Sequence, residues 1–203
     1  MSEPPPPEGP CVTGQMFVAR IEYLRQNHGQ NAISKVMAAL PEEDRERLRG
    51  VEASGWYPFR MLVRFDRAVA RVVAPTDPGI FERLGSASAQ VRNEWLGKHA
   101  SLVSPHAFLS RVAEEHRRYH TFGRVSYRRT GFTEGELTCA EYPEMDETFC
   151  LGARGYLRAT VELVTRGPAR IEERECQCRG DAHCRFWIQW AHREPAIPAG
   201  GAA

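Results

Sequence analysis

The stretch Glu175–Trp190, ECQCRGDAHCRFWIQW, carries three of the chain's six cysteines: Cys176, Cys178 and Cys184. It also sets a clear period. From Cys184 onward, Cys184, Phe186, Ile188 and Trp190 alternate with Arg185, Trp187 and Gln189, the pattern of a strand with one buried face. Arg179-Gly180-Asp181 separates this strand from a preceding one over Ala169–Cys178, so the stretch reads as a β-hairpin. The arms of a hairpin lie about 5 Å apart. Thiols at Cys176 and Cys184 can then face one point, with Cys178 on the same strand face as Cys176. A disulfide, a metal site, a catalytic thiol and plain core packing are the competing readings.

Working outward, Asp146 caps a long helix reaching about Thr165, with Cys150, Ala153, Leu157, Val161 and Val164 on one face. Gly123–Thr130 and Glu136–Tyr142 read as strands around a Gly131–Gly135 turn. Upstream the sequence is helical. Two short helices, Phe17–Asn27 and Asn31–Leu40, break at Gly29. PEEDRERL follows, with acids at its start to suit the helix dipole. FRMLVRFDRAVARVVA has Pro58 in its first turn and an apolar stripe of Met61, Leu62, Phe65, Val69 and Val72. Further helices run from Phe81 to Trp95 and, capped by Ser104-Pro105, to about His120. Helices followed by strand–strand–helix–strand–strand predict an α+β fold, with N-terminal helices packed on a small antiparallel sheet. The expected organisation is one domain over residues 12–192, split into a helical half (12–121) and a sheet half (122–192). Pro-, Gly- and Ala-rich tails over 1–11 and 193–203 are expected to be disordered.

Twenty-seven Lys and Arg against 26 Asp and Glu leave a net charge of +1, so no electrostatic case exists for nucleic acid or an anionic membrane. No apolar run approaches the roughly 20 residues of a membrane span, and the first residues lack a secretory apolar segment. The expectation is a cytoplasmic protein, where thiols stay reduced; this disfavours the disulfide. No His/Asn set accompanies a catalytic thiol, and no enzymatic role is expected. Metal and core packing both remain open. The spacing is not a double CxxC, and zinc prefers four tetrahedral ligands rich in sulfur. Cys150, His183, Glu172, Glu173 and Glu175 are the nearby donors that could complete a site.

From about Gly123 to Trp190 the chain resembles the 4-vinyl reductase domain, which also forms the effector sensor of phenol- and xylene-responsive activators. The resemblance rests on Glu173, Cys176, Gly180, Cys184 and Phe186, with Cys150 on the preceding helix at the matching place. It implies a structural zinc ion held by Cys150, Glu173, Cys176 and Cys184, and leaves Cys178 as a spare or packed thiol. GWYPFRMLVRFDRAV and SPHAFLSRV are similar to an uncharacterised group of stand-alone bacterial proteins. The resemblance further implies a fold related to heme-based nitric oxide sensors and vesicle-tethering subunits, which enclose an apolar cavity, and pairing of two chains through the helical half.

On that basis the expected function is a zinc-stabilised sensory module that binds an apolar small molecule, forms a homodimer and signals to a protein partner. The alternatives are a scaffold with a vestigial pocket, or an accessory factor in tetrapyrrole metabolism. Trp56, Phe65, Trp95, His106, Phe108 and Tyr127 are the candidate pocket residues. Heme is not expected, because the Tyr-x-Ser-x-Arg signature of the heme sensors has no match in Ser126–Arg129, SYRR; His99 and His106 are the only loose axial candidates. The phenol sensors hold the effector hydroxyl with a histidine and a tryptophan; Gly123–Tyr142 contains no tryptophan, so phenol is not expected either. The chain has no GxxxxGK[ST] motif and no basic recognition helix, which argues against a complete activator of that type. His116 and His120, four apart in polar surroundings, read as an exposed helix face.

Overall fold

The computed structural model describes residues 9–92 and 104–191. Its helical half comprises β1 (Cys11–Thr13), α1 (Gln15–Ala38), α2 (Glu42–Leu48), β2 (Trp56–Pro58), α3 (Phe59–Val73), α4 (Gly79–Arg92) and α5 (Pro105–Glu114). The sheet half comprises β3 (Arg124–Arg129), β4 (Glu134–Ala140), α6 (Glu147–Thr165), β5 (Ala169–Glu175) and β6 (Cys184–Trp190). The last four strands pair antiparallel in the order β3-β4-β6-β5, and the fold is α+β, as the sequence pattern requires.

Local chemistry explains most element ends. The Ser104 hydroxyl accepts from the Ala107 amide at 3.2 Å, with Pro105 at the first helical position of α5. Asp146 does the same for α6, accepting from the Thr148 amide at 3.0 Å. The break at Gly29 is a kink within α1, where glycine takes φ 76°. In β6, Cys184, Phe186, Ile188 and Trp190 are all buried. They form one core with the α3 stripe Met61, Leu62, Phe65 and Val69. Arg20 and Asp66 add a buried ion pair between α1 and α3, two-pronged at 2.6 and 3.0 Å.

The tightest packing is between α4 and α6. A methyl group on Gly85 would overlap the Gly152 carbonyl, and one on Gly155 would overlap that of Glu82. Ser86 donates to the Gly155 carbonyl at 3.1 Å, and Glu82 takes Arg154 and Arg158. Two backbones in contact leave little room to slide, so α6 has a firm outer support.

Several expectations need correction. A second small sheet pairs β1 with β2; three-residue strands carry too little pattern to be read. Cys11 therefore belongs to the folded domain, not to a tail. Pro58 lies in β2, immediately before α3, and not in its first turn. α5 stops at Glu114, and a 3₁₀ turn, His116–Arg118, follows. The Thr13 amide then donates to the Tyr119 carbonyl, and Val12 bridges His120. That turn directs His116 and His120 inward. Both are buried and their rings stack at 4.2 Å and 16°, so the exposed face expected for them does not exist.

Candidate metal centre and cavity

Three elements bring four side chains together. Cys150 comes from the first turn of α6, Glu173 from β5, and Cys176 and Cys184 from the two arms of the last hairpin. Glu173 and Cys176 are three apart and would face opposite sides of a regular strand. A register shift between Glu173 and Glu175 reverses the alternation and turns both inward. The chain then enters a 3₁₀ turn at Gln177, so Cys178 leaves the strand face expected for it and is exposed.

Cys150 Sγ lies 3.6 Å from Cys176 Sγ and 3.8 Å from Cys184 Sγ, and those two are 3.9 Å apart. A disulfide requires about 2.05 Å. The edge of a tetrahedron of sulfurs around zinc, at about 2.3 Å from the ion, is about 3.8 Å. One ligand atom from each of Cys150, Glu173, Cys176 and Cys184 falls within 4.8 Å of all the others. One oxygen of Glu173, Oε1, is buried and has no hydrogen-bond partner. A partnerless buried carboxylate oxygen beside three thiols is costly unless a cation answers it. The donor set fits a thiophilic divalent ion such as zinc.

The electrostatics prepare the site. Hydrogen bonds from Cys150 and from the Gln177 amide (3.3 Å) lower Cys184 to about 7 against its burial. Its hydrogen bond to Cys184, with burial, pushes the Cys150 thiol up. Burial, with the neighbouring Glu173 carboxylate, raises Cys176 to about 12. The cluster thus divides into one thiol inclined to ionise, Cys184, and two held towards the protonated form, Cys150 and Cys176. Asp146 steadies the first turn of α6 from outside, with Arg67 of α3 on its second oxygen at 2.6 Å.

Next to this cluster lies a cavity of about 130 Å³. Met16 and Arg20 of α1, Ser88 of α4, His116 and His120, Val125, Leu137 and Cys139 of the sheet, Tyr142, and Phe149, Ala153, Tyr156 and Leu157 of α6 line it. The wall is mainly apolar; among its polar groups His116, His120 and Tyr142 lie together, and Arg20 bonds Ser88. Tyr142 Oη is 3.5 Å from His116 Nε2 and hydrogen-bonds Cys139. Burial pushes Cys139 up to about 12 and Tyr142 well above its ordinary value, so both stay neutral. Cys139 also pairs with Cys184 across β4 and β6, and α6 supplies both Cys150 and one cavity wall.

The candidate pocket residues lie elsewhere. Phe65 is core, edge-on to Phe17. Phe108 packs on Val164. Trp56 sits half-buried in β2. His106 bonds Tyr127 Oη at 2.6 Å and the Phe132 carbonyl at 2.9 Å, edge-on to Trp190. These aromatics satisfy one another or the core and do not line the cavity; Trp95 and His99 lie outside the described residues. Tyr142, Phe149 and Tyr156 were not anticipated. The signal available for them was the aromatic flanking of Asp146 and the small-residue face of α6.

An α+β domain with a cavity between helices and a four-stranded sheet, clamped by a cysteine cluster, is thus the class that fold and site define. Residues 132–189 match the family model of the 4-vinyl reductase domain, and over that stretch the resemblance to that family holds. No curated protein matches the chain. Among solved structures, an H-NOX protein from S. oneidensis in the Fe(II) state, a triple mutant, superposes with a TM-score of 0.71 at 14% identity, over 90% of this chain and 98% of that one. An Fe(II) unliganded H-NOX mutant from K. algicida gives 0.69 at 12%, over 89% and 97%. At such identities the likeness is one of fold. H-NOX proteins carry heme; the cavity that the described residues form here, about 130 Å³, is close to the roughly 150 Å³ void that holds one benzene ring and far below a macrocycle of four pyrroles.

Proposed function

We propose that this chain is a sensory module that binds a small apolar molecule, with a structural zinc ion on Cys150, Glu173, Cys176 and Cys184. The observation that carries the reading is the mainly apolar, partly open cavity of about 130 Å³, walled by the helix whose first turn enters the metal cluster. Its volume favours one ring or a short branched chain. Its polar group of His116, His120 and Tyr142 favours a ligand with one hydroxyl or carbonyl. The zinc ion supplies cross-linking, and four protein ligands leave no open position for activating water, so no catalysis is assigned.

The reading extends to a cytoplasmic homodimer that passes its state to a protein partner by contact. No helix among the described residues is long and apolar enough to cross a membrane. Native mass spectrometry of the metal-replete protein tests the proposal, since it reports metal, small ligand and oligomer together. One zinc per chain and two chains are expected. Well under one equivalent of metal would end the zinc assignment, and a monomer at high concentration by light scattering would end the dimer. For the cavity, a panel of single-ring and short-chain compounds is screened by thermal shift. A ligand at 100 times its Kd should add about 2.7 kcal/mol, and no shift with any of them would end the sensory reading.

A further inference from the structure

We propose that Cys178 is a reserve ligand of the metal centre, able to replace Glu173 and convert a three-thiolate site into a four-thiolate one. This rests on the metal reading above. Cys178 is the one exposed cysteine among the described residues, two residues after Cys176 on the turn that leaves the cluster, and near enough to Cys176 and Cys150 to interact with both. It stands outside the four groups that fall within 4.8 Å of one another, so recruitment needs a small movement of the 3₁₀ turn Gln177–Arg179.

The same turn carries the group that would receive the displaced carboxylate. Arg179 Nη1 donates to Glu173 Oε2 at 3.2 Å, and Nη2 to the Glu173 carbonyl at 3.4 Å. Glu173 thus has two claimants, the ion through Oε1 and Arg179 through Oε2. If the ion takes Cys178, the Cys178 thiol gives its proton to solvent. Glu173 then keeps its charge on Arg179, and no redox step is involved. The choice should follow the ion. Carboxylate oxygen is a hard donor and thiolate a soft one, so zinc is served by either set and a softer ion draws in Cys178.

The test uses the full chain loaded with Co²⁺ or Cd²⁺ alone, because thiolate-to-metal charge-transfer absorption scales with the number of bound thiolates. With Co²⁺, Glu173→Ala should retain the ion and gain about one third in charge-transfer intensity, as four thiolates replace three. Glu173→Ala with Cys178→Ser should bind more weakly than Glu173→Ala by at least roughly 10–100-fold, the cost of losing even a supporting residue. Glu173→Ala binding no better than the double variant, or binding with unchanged intensity, would overturn the reserve-ligand proposal. Cd²⁺ on the unsubstituted chain gives the same answer without a substitution: four thiolates support the proposal and three overturn it. An unsubstituted chain that binds neither ion would instead overturn the metal centre itself.

Discussion

Filling the cavity from its own wall should stabilise the protein and abolish ligand binding. An enclosed void costs about 24 cal/mol per Å³, so about 130 Å³ in a cavity partly open to solvent sets an upper bound of roughly 3 kcal/mol on what filling it can recover. Ala153 lines the cavity from the middle of α6. Ala153→Leu adds three carbons, worth at most about 2.4 kcal/mol at roughly 0.8 kcal/mol each, which lies within what the void offers. For a chain of this size that gain is a rise in Tm of roughly 5–10 °C. The assay is urea or thermal unfolding of metal-loaded protein, wild type against variant, with and without a compound that shifts the wild type. Raised stability and a lost ligand shift are expected together. A variant that keeps its circular dichroism but loses stability would mean that Ala153 faces packed atoms and that the cavity is not available to a ligand.

Two other consequences follow from named positions. Gly152→Ala and Gly155→Ala should move urea midpoints in opposite directions. At Gly152 a methyl group meets only ordinary contacts, 3.7 Å from the Phe81 carbonyl and 3.9 Å from Arg20 Nη2, and helix propensity gains about 0.8–1 kcal/mol. At Gly155 the methyl would overlap the Glu82 backbone, a cost of roughly 1–3 kcal/mol; equal effects would contradict the α4–α6 contact. Zinc binding at pH 8 should release about two protons, because Cys184, at about 7, is already thiolate while Cys176, at about 12, and Cys150, raised further, are not. The count should rise toward three at pH 6, as Cys184 also protonates in the free protein. Calorimetry in buffers of different ionisation enthalpy measures it, and a count near zero at pH 8 would refute the ligand set.

The legible parts of this molecule are those whose information is local or periodic. The alternation from Cys184 to Trp190, the Ser104-Pro105 and Asp146 caps and the α3 stripe each state their element in a few residues, and the class follows from their order. The bulge between Glu173 and Glu175 was not legible, because nothing in IEERECQC says where the alternation reverses. That one irregularity puts Cys176 inside and lets the chain turn Cys178 out. The cavity was still less legible. An aromatic on a helix reads alike whether it is core, as Phe65 is, or wall, as Phe149 is, since the difference lies in which elements approach it from elsewhere in the chain. His116 and His120 failed for a related reason. Their polar neighbours implied solvent, but α5 ends before them and β1, more than a hundred residues earlier in the chain, pairs with that segment and holds it.

The sharing of α6 between metal and cavity gives the sensory reading its physical content. Cys150 is bracketed on the helix by Phe149 and Ala153, with Tyr156 and Leu157 a turn further on, and these four line the cavity. Backbone contact with α4 holds the helix at Gly152 and Gly155, so its freedom lies in the first turn, which the Asp146 cap with Arg67, the packing of Phe149 and the cysteine cluster restrain. Removing the metal should let that turn fray, since helix ends without cross-links open at low cost. Phe149 would then cease to define the cavity wall, and ligand affinity should fall. By linkage the ligand must protect the metal by the same factor. Such couplings typically amount to about 5–150-fold. Chelator-driven zinc loss, followed with and without saturating ligand, measures one side, and ligand affinity of the metal-free protein measures the other. Equal factors above one are required. A metal-free protein that stays folded and binds ligand unchanged would show that the clamp and the cavity are independent, and that α6 transmits nothing between them.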